Sequence, residues 1–133
     1  MAIVLLVLPG HVYAKDKTKN FEGNGTKESP YLIQNETDLL NLRDGVNEQG
    51  KTYKGRYFLQ TEDIDLGEDA WVAIGNMEEE AYFCGLYDGG GHVIKNLNME
   101  EENDAAMFNV LGGSVYNLGL EDGKIKGNCV ASF

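Results

Sequence analysis

The sequence predicts an all-β protein, a right-handed parallel β-helix (a solenoid) of about three coils, with an N-terminal cap that contains a short helix. Phenylalanine recurs every 25 residues, at Phe58, Phe83, Phe108 and Phe133. A pattern of β-branched residue, any residue, Asn, Leu, any residue, Leu or Met occurs twice, at residues 94–99 and 115–120. A period near 25 suits one turn of a solenoid and is too short for a propeller blade. Seventeen glycines and two prolines supply the many turns that such coils need.

Composition indicates one globular domain and excludes some partners. The chain has 133 residues, of which 42% are hydrophobic, and it carries 22 acidic against 11 basic side chains, a formal net charge of −11. A negative field of this size repels phosphate backbones and anionic lipid. We therefore expect no nucleic-acid partner.

The first 14 residues look like a secretory signal peptide. Residues 2–8 form an apolar run, and Val12, Tyr13 and Ala14 place small residues where a signal peptidase reads them. No Lys or Arg precedes the run, so either the start lies elsewhere or the first residues are lost. The run is too short to span a bilayer, which predicts no membrane insertion of the mature chain. The alternative for this apolar run is a buried N-terminal strand. Polar residues 15–20 read as a linker that follows the cleavage site, and they predict a secreted or cell-surface protein.

Residues 21–54 read as the cap. Residues 30–33 predict a short strand that begins at a proline, and residues 35–47 predict a helix capped by Asn35 or Thr37. One helical face is apolar, formed by Leu39, Leu42 and Val46. Such a piece covers the first coil, whose backbone groups and apolar cross-section would otherwise be exposed.

Residues 55–133 read as the coils. Around one turn, Ile64 and Leu66 face one side of a strand, and Asp63 and Asp65 face the other. We expect Phe58, Phe83 and Phe108 to stack inside, and we expect Asn96 and Asn117 to stack as an amide ladder between coils, because they share one motif position. Those five structural residues are the ones on which the repeat depends.

The two cysteines are expected to be unpaired. Cys84 follows Phe83 directly, whereas Cys129 precedes Phe133 by four residues, so a 25-residue period places them at different corners of different coils. The last residue, Phe133, is in phase with the repeat. We expect further β-helix coils C-terminal to it, and self-association of the chain without them.

Several segments resemble bacterial surface proteins that carry GLUG repeats. The resemblance rests on residues 21–33 (FxGxGTxxxPYxI), 63–66 (DIDL), 71–75 (WxxIG) and 83–97 (FxGxxDGxGHxIxNL), and it covers nearly everything after Asn20. Residues 106–109 read AMFN where that family has GLFG. The resemblance implies a pectin-lyase-like parallel β-helix on a secreted or wall-attached protein, an adhesin-like role without catalysis, and a host or cell-surface glycan or protein as partner.

The rival hypothesis is the N-terminal part of a carbohydrate-active β-helix enzyme, a polysaccharide lyase or hydrolase. Its catalytic candidates are Asp63, Asp65 and Asp88, with His92 beside the last. The same aspartates suit an outward strand face and a turn in which Asp bonds its own backbone. No Lys or Arg stands at a matching repeat position, so we expect no catalytic residue and no cofactor. Trp71 could stack on a sugar or pack in the core.

A calcium site is the alternative use of the acidic clusters that precede two repeat phenylalanines. If they aligned on adjacent coils, carboxylate oxygens could converge as this cation requires. Solvated loops are the simpler interpretation, so we predict no metal site. The residues are Glu78, Glu79, Glu80, Glu100, Glu101, Glu102 and Asp104.

Overall fold

A computed structural model describes residues 20–100, 104–127 and 129–130, without the side chains of Asp104, Cys129 and Val130. The predicted signal peptide, linker residues 15–19, Glu101, Glu102 and Phe133 lie outside the described residues.

The described residues form one helix and eleven short strands. The helix α1 is Glu36–Asn47. The strands are β1 Tyr31–Ile33, β2 Tyr57–Gln60, β3 Ile64–Asp65, β4 Leu86–Asp88, β5 Val93–Lys95, β6 Asn98–Glu100, β7 Asp104–Ala105, β8 Ser114–Tyr116, β9 Gly119–Glu121, β10 Lys124–Lys126 and β11 Cys129–Val130.

All named strands pair in parallel. They form a sheet of order β1-β2-β4-β8, a sheet of order β3-β5-β9, and the pairs β6-β10 and β7-β11. Paired residues lie about one circuit of the chain apart: Phe58 is opposite Tyr87, and Ile64 is opposite Ile94. The predicted β content, parallel pairing and single short helix are confirmed.

Helix α1 begins where its capping residue predicts. The Asn35 side chain accepts a hydrogen bond from the Asp38 backbone N–H at 3.0 Å, and the Asp38 carboxylate accepts one from the Gln34 N–H at 3.1 Å. The predicted apolar face, Leu39, Leu42 and Val46, is fully buried against the strands. The helix therefore closes one side of the core.

Aromatic rings run through the interior. Phe58, Phe83 and Phe108 are at most 3% exposed. Ring centroids are 5.8 Å apart for Phe58 and Phe83, and 5.3 Å apart for Phe83 and Phe108. Phe21 extends the series, 5.4 Å from Phe58. The predicted inward position of the three repeat phenylalanines is what the structure shows.

The 25-residue spacing is nevertheless not the repeat of the backbone. Phe58 lies opposite Tyr87, Phe83 opposite Leu111 and Phe108 opposite Ile74, so the three phenylalanines occupy different rows of the stack. Their rings touch because each is long enough to meet its neighbours across the interior. Turns of unequal length set the true spacing between paired residues.

The predicted amide ladder of Asn96 and Asn117 is wrong. Lys95 is opposite Glu121, and Tyr116 is opposite Asp88, so the two asparagines belong to different sheets. Both have positive φ, 58° and 53°. Asparagine is among the few residues that adopt this left-handed conformation readily. The recurring motif therefore marks a left-handed turn, and the chain uses this turn after strands of two different sheets.

Candidate functional site

The outward surface of the β3-β5-β9 sheet brings together most of the predicted catalytic candidates. Asp63 and Asp65 are exposed, and Ile64 between them is buried, as the alternation predicts. Lys95 lies directly opposite Asp65, and Glu121 lies directly opposite Lys95. The expectation that these aspartates lack a basic neighbour is thus wrong. Paired residues of β3 and β5 are 30 positions apart, not 25, and this separation places Lys95 beside Asp65.

Asp63 is held at the edge of this surface by the next circuit of the chain. Its Oδ1 accepts a hydrogen bond from the Val93 backbone N–H at 3.0 Å and lies 3.3 Å from Nδ1 of His92. The Val93 N–H, helped by His92 and Lys95, lowers the pKa of the Asp63 carboxyl below its ordinary value. A carboxyl that stays ionised in this way is poorly suited to act as a general acid.

Asp65 and Asp88 share one arrangement with the two motif asparagines. Asp65 Oδ1 accepts hydrogen bonds from the Gly67 N–H at 2.8 Å and from Nδ2 of Asn96 at 2.7 Å. Asp88 Oδ1 accepts from the Gly90 N–H at 2.8 Å and from Nδ2 of Asn117 at 3.2 Å. Each carboxylate closes its own turn and anchors an asparagine of the next circuit.

These bonds also fix the charge of Asp65. The Asn96 amide, followed by the Gly67 N–H and Lys95, lowers the pKa of its carboxyl. A 25-residue period does not predict these aspartate–asparagine pairs, because the paired residues are 31 and 29 positions apart. The sequence signal for them is an aspartate two residues before a glycine, followed one circuit later by the motif asparagine.

The acidic clusters proposed for calcium do not form a site among the side chains that the structure describes, where no group of three His, Cys, Asp or Glu could hold a metal ion. Glu78, Glu79 and Glu80 lie exposed on a turn closed by the bridge of Asn76 and Ala81. Glu100 lies opposite Lys126, whose Nζ is 2.7 Å from its carboxylate. The Asp104 side chain, like Glu101 and Glu102, lies outside the described residues.

Trp71 belongs to the core. It is 4% exposed, and its indole Nε1 donates a hydrogen bond to the Met107 carbonyl at 3.4 Å. The Arg43 guanidinium lies 5.4 Å from its ring centroid, a cation–π distance. A cleft of about 240 Å³ opens beside this pair, with Glu36 and Asp69 on its walls. The ring face that a sugar would need is covered by Arg43.

A second cleft, of about 160 Å³, lies between Phe21, Tyr31 and Tyr53. The Tyr53 hydroxyl is buried and has no hydrogen-bond partner within the described part of the chain. Burial, with a contribution from Tyr31, raises the pKa of Tyr53 to about 12. The only cysteine whose side chain is described, Cys84, is free.

Helix α1 has 12 residues. Over residues 20–100, 104–127 and 129–130, no helix is long and apolar enough to cross a membrane.

No family model matches this chain. Halomucin of Haloquadratum walsbyi is 31% identical over 121 residues, which are 84% of this chain and 1% of halomucin. A proposed Gly-rich membrane protein of Evansella cellulosilytica is 35% identical over 108 residues, 74% of this chain and 12% of that protein.

One similar protein has a crystal structure, a proposed immunoglobulin A1 protease from Bacteroides ovatus. The two chains superpose with a TM-score of 0.65 at 32% sequence identity, over 82% of this chain and 31% of that one. This chain therefore spans less than a third of each of the three proteins. Their similarity to it concerns a β-rich segment and not a whole protein.

Proposed function

We propose that this chain is a non-catalytic β-helix module of a secreted or cell-surface protein, with an adhesin-like or structural role. The observation that carries the proposal is the use of the three candidate aspartates. Each of Asp63, Asp65 and Asp88 accepts hydrogen bonds that join one circuit of the chain to the next or close a turn. Carboxylates used in this way stabilise a stack of strands, and that structural role accounts for their positions without a catalytic one.

The β-helix, right-handed and with about three coils, is the arrangement that best accounts for the pairing. The β1-β2-β4-β8 and β3-β5-β9 sheets each take successive strands from successive circuits of the chain. Parallel neighbours with the intervening chain wound between them are typical of right-handed connections. The GLUG resemblance of residues 63–66 and 83–97 supports the same fold and remains part of the proposal.

Similar proteins support a surface location. One is a proposed Gly-rich membrane protein, and another is a proposed immunoglobulin A1 protease. The net charge of −11 favours a neutral or cationic partner. A glycan or protein of a host or neighbouring cell is therefore the partner that we propose.

One observation favours the enzyme alternative. Asp63, Asp65, His92 and Lys95 lie together on one outward surface, and a lysine beside carboxylates is a feature of β-helix lyases. The alternative is an N-terminal fragment of a polysaccharide lyase or hydrolase. It requires that these side chains serve a substrate in addition to the hydrogen bonds described above.

The purified chain should be incubated with pectin, alginate and host glycans, with and without calcium, and assayed for released products. We expect no product, and we expect Asp63→Ala and Asp88→Ala to lower the melting temperature. Antibodies against the chain should label intact producing cells. Product release that disappears in Asp63→Ala, at unchanged melting temperature, would establish the enzyme alternative. Labelling that requires permeabilised cells would contradict the surface location.

A further inference from the structure

The cleft of about 240 Å³ beside Trp71 lies between helix α1 and the turn that follows β3. Its lining is apolar at Leu40, Leu66 and Trp71, and the last two are 4% exposed. Two carboxylates complete it, the half-buried Glu36 on α1 and the exposed Asp69 on the turn. We call the space between these five side chains the α1 cleft.

The α1 cleft does not owe its exposure to an end of the described chain. Where that chain begins, the Asn20 carbonyl accepts a hydrogen bond from the Asn41 side-chain amide of α1 at 3.4 Å. A helix has 3.6 residues per turn, so Asn41 points about 100° away from Leu40, and the first described residues lie against another side of α1. On the other wall, the Trp71 N–H donates to the Asn98 carbonyl of the next circuit at 2.6 Å. Both walls therefore have their own neighbours in place.

The two walls of the α1 cleft are also fixed relative to each other. Arg43 of α1 is held by Asp44, whose Oδ1 is 2.9 Å from Nε and 2.8 Å from a terminal nitrogen of the guanidinium. The same guanidinium lies 5.4 Å from the centroid of the Trp71 ring. At the end of α1, the Asn47 side-chain amide donates to the Ala73 carbonyl at 2.8 Å. The cleft is thus preformed, which lowers the conformational cost of binding a ligand.

The two carboxylates of the α1 cleft are unpaired. Among the side chains that the structure describes, Glu36 and Asp69 make no ion pair and no side-chain hydrogen bond. Arg43, which also lines the cleft, is paired with Asp44 and is not available to them. The cleft therefore combines apolar surface with two negative charges, in a chain whose formal net charge is −11.

We propose that the α1 cleft binds a basic side chain, a lysine or an arginine, of a partner protein. The aliphatic stem of that side chain packs on Leu40 and Leu66, and its cationic head meets Glu36 and Asp69. This inference rests on the proposed surface role and narrows its partner to a protein with exposed basic residues. A glycan fits less well, because Arg43 covers the ring face on which a sugar would stack.

Fluorescence reports directly on the α1 cleft, because Trp71 is the only tryptophan of the chain. The purified full chain should be titrated with three probes: Nα-acetyl-lysine amide, Nα-acetyl-arginine amide, and Nα-acetyl-norleucine amide, which has the lysine stem without the charge. We expect saturable changes with both basic probes at low salt. The norleucine probe should bind about fivefold more weakly, since it forms neither ion pair.

Variants of the two carboxylates locate the binding. Glu36→Gln combined with Asp69→Asn removes both charges and keeps the shape of each side chain. This double variant should bind the basic probes about fivefold more weakly and the norleucine probe as before. Glu121→Gln combined with Asp122→Asn makes the same change of net charge at exposed residues outside the cleft, and its affinities should not change. Unchanged melting temperatures will show that the variants are folded.

Three results would overturn the proposal. One is equal affinity for the lysine and norleucine probes, or no fluorescence change with any of the three. Another is a double variant in the cleft that loses no more affinity than its control. The third is a saturable change with glucose or glucuronic acid in place of the basic probes, which would assign the cleft to a glycan. Antibody labelling of intact cells tests the surface role without using the cleft, so a failure of that role is distinguishable from a failure of this proposal.

Discussion

The strongest test of the packing in the core is the variant Tyr87→Phe, which removes one buried hydroxyl. Tyr87 is fully buried, and its Oη donates a 2.8 Å hydrogen bond to Oε1 of Gln60, which is 1% exposed. Nε2 of Gln60 donates in turn to the carbonyls of Glu62 at 2.8 Å and Val93 at 3.1 Å. These bonds connect neighbouring circuits of the chain inside an otherwise apolar core.

Phenylalanine keeps the ring and leaves the Gln60 oxygen buried without a donor. A buried acceptor left unsatisfied costs about 1–3 kcal/mol, so we expect the free energy of unfolding to fall by about 2 kcal/mol. For a domain near 100 residues, each kcal/mol lowers the melting temperature by roughly 4–8 °C. Urea unfolding and thermal melting of the variant measure both values.

The matched control is Tyr116→Phe, which makes the same change on the following strand of the sheet. Tyr116 is 41% exposed, and exposed substitutions of this kind change stability by less than about 0.5 kcal/mol. If Tyr87→Phe cost no more than the control, the buried contact between Tyr87 and Gln60 would not exist in the folded protein, and the register of Phe58 opposite Tyr87 would be refuted with it.

Two further predictions concern a corner and a buried hydroxyl. Asn96→Ala should lower the unfolding free energy by about 1 kcal/mol more than Asn96→Gly. Both variants lose the hydrogen bond to Asp65, but only alanine is strained at a φ of 58°. Equal urea midpoints for the two variants would contradict this. Stability should also fall as the pH rises from 10 towards 12, since the unfolded chain ionises Tyr53 near its ordinary pKa of 10.0 and the folded chain only near a pKa of about 12. Below pH 10 the hydroxyl is protonated in both states and has no such effect. Tyr53→Phe should reduce this alkaline loss in urea titrations, and an unchanged slope would count against the buried hydroxyl.

Local features of the fold could be predicted from the sequence because they depend on near neighbours. A capping asparagine followed by an apolar face places helix α1 correctly, with Asn35 as the cap. Alternation of residue type places Ile64 and Leu66 inside and Asp63 outside. Neither inference needs to know which strand lies beside which.

The repeat period could not be predicted, because the pattern in the sequence and the pairing of the backbone are different periodicities. Phenylalanines 25 residues apart meet in the core although none lies in the row of another. The recurring asparagine reports a left-handed corner, and such a corner serves more than one sheet. Since turn length varies from circuit to circuit, the pairing of strands cannot be read from a fixed period.

The interpretation of the outward carboxylates also depends on which strands are paired. A register taken from the 25-residue period leaves Asp65 without a basic neighbour, whereas the true register places Lys95 between Asp65 and Glu121, so charges alternate along the stack. Opposite charges on adjacent strands stabilise a parallel sheet through its side chains. The presence of a lysine beside two acids is thus explained by the sheet itself, and the pattern of hydrogen bonds at Asp65, which joins one circuit to the next, points the same way. A catalytic interpretation must therefore rest on product formation and not on the proximity of these groups.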